Sequence, residues 1–151
     1  MPLISRSWRT AVPFAAVALL ALTACSPSVT ITEAEDANNP ACASMMVALP
    51  DSLAGSKRRT TTSQSTAAWG DPSLVVLRCG VQVPSPTTDK CVAVNGVDWV
   101  LKEKETTWTI TTYGRTPATE LVFEDNTVPS DTVLSEISAA VSKIPANGAC
   151  L

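Results

Sequence analysis

No histidine occurs anywhere in the 151 residues. That absence excludes an imidazole-based catalytic triad, a His metal ligand and an imidazole pH switch on this chain. Glycine is scarce as well: six residues scattered singly leave no Gly-rich loop to cradle a phosphate. The patterns G-x-S-x-G and S-x-x-K are both missing, so serine chemistry lacks its usual sequence contexts. The five cysteines include no C-x-x-C, which removes the common redox motif and the close thiolate pairs of a structural zinc site. No apolar run reaches the roughly 20 residues that a membrane-spanning helix needs. Excess positive charge is lacking too: 11 basic against 14 acidic residues give −3, a poor balance for nucleic acid. What is present is a 45% hydrophobic, 17% charged chain, which excludes disorder throughout.

Residues 1–10 carry Arg6 and Arg9 and no acid, and residues 11–24 form a short, mostly apolar stretch containing Pro13. A charged start followed by a short apolar run is the secretory signal pattern. The stretch ends Leu22-Thr23-Ala24-Cys25, which resembles the bacterial lipoprotein lipobox at every position. The resemblance implies cleavage before Cys25 and a diacylglycerol attached to its thiol, with palmitate among its acyl chains. Anchorage at the outer face of the cytoplasmic membrane would follow, each buried CH₂ contributing about 0.8 kcal/mol. The competing reading is an ordinary signal peptide cut at an A-x-A-like site, with Cys25 a bystander. Loss of Arg6 and Arg9 leaves nine bases against 14 acids, a net −5. Residues 26–39 are polar and acidic, without helical or strand period, and read as a tether. The expected organisation is a leader over 1–24, a flexible tether over 25–39 and one domain over 40–151.

Four cysteines remain in that domain, Cys42, Cys79, Cys91 and Cys150. An even number in an exported chain reads as two disulfides, with three connectivities open.

Asn39-Pro40 is a helix start, a capping side chain followed by proline at the first helical position. Met45, Met46, Leu49 and Leu53 keep helical spacing, and Pro50 ends or kinks the segment. Lys57-Arg58-Arg59 and the polar residues 60–66 read as a long surface loop, the basic triplet as a solvated charge run rather than a contact for anionic headgroups. LVVLRC at 74–79 is a buried strand, extended past a bulge at Gly80. Asn95-Gly96 makes a two-residue hairpin turn that pairs Val94 with Val97 and Val92 with Trp99. Glu103-Lys104-Glu105 is a charged turn. Residues 107–113 and 119–124 are two further strands. Val133, Leu134, Ile137, Ala140, Val141 and Ile144 form an amphipathic helical stripe that Pro145 stops. Helix, about five strands, helix predicts an α+β two-layer sandwich on a mostly antiparallel sheet.

Candidate acid/base pairs are Glu103 with Glu105 and Glu124 with Asp125, and both read as solvated turn carboxylates. A polar-aromatic set stands out more: Trp69, Asp71, Arg78, Trp99, Tyr113 and Arg115. Arg78 is a cation inside an apolar strand run, where an unpaired charge is costly. Asp71 and Asp98 are its candidate partners. As a structural set these residues are core tryptophans and an ion pair. As a functional set they form a small pocket for an anionic or sugar-like envelope component.

Several segments resemble the DUF3515 family of actinobacterial exported proteins and lipoproteins. They are Cys42 with Leu49-Pro50-x-x-Leu53, Trp69-Gly70-Asp71-Pro72, Leu77-Arg78-Cys79-Gly80-Val81, Val94-Asn95-Gly96-Val97-Asp98-Trp99 and Thr112-Tyr113-Gly114-Arg115. The family carries no assigned activity. Cys42 and Cys79 match its pattern, whereas Cys91 and Cys150 are additional, so the resemblance implies Cys42–Cys79 and Cys91–Cys150. The rival is Cys79–Cys91 with Cys42–Cys150. The functional expectation is a lipid-anchored, non-enzymatic binding or accessory module meeting an envelope protein or cell-wall component. It needs no cofactor, metal or nucleic acid. The alternative is a cell-wall hydrolase using carboxylates or a Ser/Lys pair.

Overall fold

The computed structural model describes residues 27–150, so the expected leader and the lipidation site Cys25 lie outside the described residues. Helix α1, Pro40–Ala48, begins as its sequence dictates: the Asn39 side chain accepts the Ala41 N–H at 3.0 Å, and Pro40 fills a position that needs no donor. Eight strands follow: β1 (Ser52–Leu53), β2 (Ser56–Arg59), β3 (Thr66–Trp69), β4 (Val75–Val81), β5 (Lys90–Val94), β6 (Val97–Lys104), β7 (Thr107–Thr112) and β8 (Ala118–Glu124). Helix α2, Ser130–Val141, comes last, ending before Ile144 although Ile144 is buried with its stripe. The strands form one antiparallel sheet in the order β1-β2-β3-β4-β8-β7-β6-β5.

The α+β architecture is as expected, but the sheet has eight strands rather than five. The five expected strands are β4 to β8. The other three fall in a stretch that reads as helix end and surface loop. β1 has two residues, β2 is Ser-Lys-Arg-Arg, and β3 is Thr-Ala-Ala-Trp with every residue buried. Alanine has low strand propensity and a polar edge strand has no apolar alternation, so neither announces itself. The charged turn also shifts: β6 runs through Lys104, and the turn lies at Glu105-Thr106.

The expected tether is partly built into the domain. Val29 bridges Thr61 in parallel, Ile31, Ala34 and Ala37 are buried, and the Asp36 N–H donates to the Gly80 carbonyl at 3.0 Å. Gly80, at φ +96°, sits at the predicted bulge, and a Cβ there would strike the Asp36 carbonyl.

One sheet face carries the core. Leu77 of β4, Leu121 of β8, Ile110 of β7 and Leu101 of β6 stand side by side in register, and Trp69, Val75, Phe123 and Trp108 form the next row. Both helices cover this face and touch each other. Disulfide Cys42–Cys79 joins α1 to β4, with Cα atoms 5.9 Å apart. Cys91–Cys150 joins β5 to the C-terminal segment across 6.2 Å. The pairing implied by the family resemblance is therefore the one formed.

Candidate functional site

The helices cover one face only, so strand alternation gives the other face its own character. Across it runs one row in direct register: Arg78 on β4, Glu120 on β8, Thr111 on β7, Val100 on β6 and Cys91 on β5. Residues 82–89, which follow the bulge at Gly80 and contain Pro84 and Pro86, form a wall along this row. Between wall and row lies a cavity of about 490 Å³ lined by Arg78, Gln82, Ser85, Lys102, Thr109 and Glu120 among others. A second cavity of about 350 Å³ shares Pro86, Thr87 and Val100 with it and reaches Cys91, Tyr113 and Cys150. Together they make a groove crossing four strand spacings, roughly 19 Å.

At one end, Arg78 donates through Nε and Nη2 to the same Glu120 oxygen, Oε1, at 3.0 and 2.6 Å. Arg78 is 32% exposed and Glu120 14%. Arg78 Nη1 and Glu120 Oε2 have no partner among the described residues, so the pair offers donors and an acceptor side by side without net charge. In the wall, the Asp89 carboxyl is held below its usual range by the Thr87 hydroxyl and, after it, by Lys102, which it meets at 3.3 Å.

The structure disperses the polar-aromatic set. Trp69 and Trp99 are core residues, the Trp69 Nε1 donating to the Pro50 carbonyl at 3.1 Å. Asp71 is bound to Arg59 at 2.8 Å, and Asp98 accepts the Cys150 N–H at 2.7 Å, so neither holds Arg78. Glu120 does, which corrects the expected partners. Arg115 is buried and donates to the Ile144 and Gly96 carbonyls, stitching the C-terminal segment to the hairpin tip. Burial pulls its pKa down, with the Asp98 charge opposing. Only Arg78 and Tyr113 share the groove, at its two ends. The carboxylates Glu103, Glu105, Glu124 and Asp125 are all exposed and outside it.

Sequence reasoning missed Glu120 and the proline-containing wall. Alternation within ATELVFE does set Glu120 opposite Leu121 and Phe123. Which strand lies beside β8 is a non-local fact that no local pattern carries.

A family model described as a protein of unknown function, DUF3515, matches residues 9–149. The chain belongs to the DUF3515 family. No curated protein and no solved structure matches it. The groove of this DUF3515 domain therefore has to be read from its own chemistry. Among the described residues no cluster of His, Cys, Asp or Glu could hold a metal ion, and no helix is long and apolar enough to cross a membrane.

Proposed function

We propose that this DUF3515 chain is a non-enzymatic binding module, held by an acylated Cys25 at the outer face of the cytoplasmic membrane. In this reading its groove takes a neutral, hydroxyl- or amide-bearing component of the envelope. The observation carrying the binding reading is the Arg78–Glu120 pair at the floor of an open groove. A self-neutralised pair favours a ligand that both donates and accepts hydrogen bonds over a bare anion. Thr109, Thr111 and Ser85 add hydroxyls, while Val83, Pro84 and Val100 give apolar surface of the kind such sites use for shape. Of the groove's two carboxylates, Glu120 is committed to Arg78, and Asp89 is paired with Lys102 and 38% exposed. Neither resembles a general base set apart by burial.

A photo-reactive side chain at Thr109 should crosslink an envelope component in intact cells, whereas one at Val47, 88% exposed on α1, should not. Equal crosslinking at both positions would contradict the groove assignment. The anchor is tested separately. Cys25→Ser should abolish labelling by palmitate and release the chain from the membrane fraction. An unlabelled mature chain in the unaltered protein would remove the lipid from the reading.

A further inference from the structure

Arg59 and the first described residue meet at one corner of the sheet. Arg59 donates through Nη2 to the Pro27 carbonyl at 2.8 Å and through Nη1 to Asp71 at 2.8 Å, and its side chain is only 14% exposed. Its charge is committed inside the domain, as a clamp on the N-terminal segment. Lys57 and Arg58 precede it on β2, and neither pairs with a carboxylate among the described residues. Arg58 stands in register with Trp69, on the helix-covered side of the sheet, so alternation sends Lys57 to the open side. Only the two-residue β1 lies beyond β2. Two uncommitted cations thus straddle the sheet edge where the N-terminal segment departs, in a chain that is otherwise acidic.

We propose that this edge is the membrane-facing surface of the domain, with Lys57 and Arg58 contacting anionic lipid headgroups. The proposal rests on the anchor reading above and deepens it. Cys25 and Pro27 are two residues apart, a reach of roughly 7 Å at most. An acyl chain on Cys25 therefore brings the headgroup layer to the corner that Arg59 clamps. Screening length at physiological salt is about 8 Å, so charges at that corner still feel the leaflet. An anionic leaflet repels the acidic remainder of the chain, and the Lys57–Arg58 edge decides which side turns toward it. The bilayer is favoured as occupant because the anchor keeps it permanently within reach of this edge.

The test uses the full mature chain, purified in detergent and reconstituted into vesicles of phosphatidylcholine alone or mixed with phosphatidylglycerol. Intact mass first establishes the acyl group. A water-soluble amine-acetylating reagent is then applied, and peptide mass spectrometry compares Lys57 with Lys102 and Lys104. Those two lie on β6, five strand spacings or roughly 24 Å along the sheet. On phosphatidylglycerol vesicles Lys57 should label about threefold more slowly relative to them. The protection should vanish near 1 M salt, where the screening length falls to about 3 Å, and should weaken in Arg58→Gln. Equal labelling of acylated protein on both vesicle types overturns the headgroup contact and leaves the anchor standing. A mature chain without an acyl group overturns both.

Discussion

A guanidinium inside an apolar strand needs a counter-ion, and alternation in β4 leaves Arg78 only the open face on which to find one. Glu120 supplies it from the neighbouring strand, directly opposite in register. The pair is part-buried, so the two charges are worth more together than a surface pair and less than a fully buried one. Arg78→Met leaves Glu120, 14% exposed, without its donor, and the expected loss is about 1–2 kcal/mol. Adding Glu120→Gln should recover part of that loss, with a coupling of about 1 kcal/mol in a double-mutant cycle from urea melts. Strictly additive losses would mean that the two side chains act independently. The crosslinking assay applied to Arg78→Met with Glu120→Met separates architecture from recognition, because that double variant roughly keeps the groove's shape while removing its donor–acceptor pair.

Among the elements, β4 to β8 were legible because each is long enough for an apolar run or for alternation to show. The β5–β6 hairpin was legible down to its register, since Asn95-Gly96 permits one tight turn and that turn fixes every cross-strand pair. β1 to β3 were not. Their place in the sheet depends on β4 offering an edge and on residues 29–37 bonding to the 60–66 loop, all of it non-local. The groove was legible only in part, since Arg78 and Tyr113 stood out as residue types while the row joining them depends on sheet order. A second non-local element is the crossing of Gly114 and Gly148. Gly114 has φ +65°, and a Cβ on it would strike the Gly148 carbonyl. Gly96 has a similar φ of +76° with nothing within 4 Å. Gly96→Ala should therefore cost about 1 kcal/mol, the backbone penalty alone. Gly114→Ala should cost about 2–3 kcal/mol and lift the C-terminal segment. Thermal melts and the rate at which dithiothreitol reduces Cys91–Cys150 check this, and equal behaviour of the two variants would show that the crossing is loose.

On the scale of the whole molecule, the two disulfides hold helix α1 and the C-terminal segment against one sheet. Cys42 and Cys79 are 37 residues apart and Cys91 and Cys150 59, and by loop-closure entropy each bridge contributes roughly 4 kcal/mol. Replacing Cys42 and Cys79 together by alanine should lower stability by about 2–4 kcal/mol in chemical denaturation, and non-reducing peptide maps of the unaltered protein should contain no Cys79–Cys91 peptide. The first bridge also has a mechanical meaning. A pull on the residues before Cys42 passes through its sulfur into β4, which lies between β3 and β8 in the sheet. Once the contacts of Pro27 and Val29 with Arg59 and Thr61 release, the strands β1, β2 and β3, which all fall between the bridged cysteines inside the covalent loop, carry none of that load. Force applied ahead of Cys42 is therefore met by the shear resistance of β4 against its hydrogen-bonded neighbours, not by the much weaker unzipping of a two-residue edge strand.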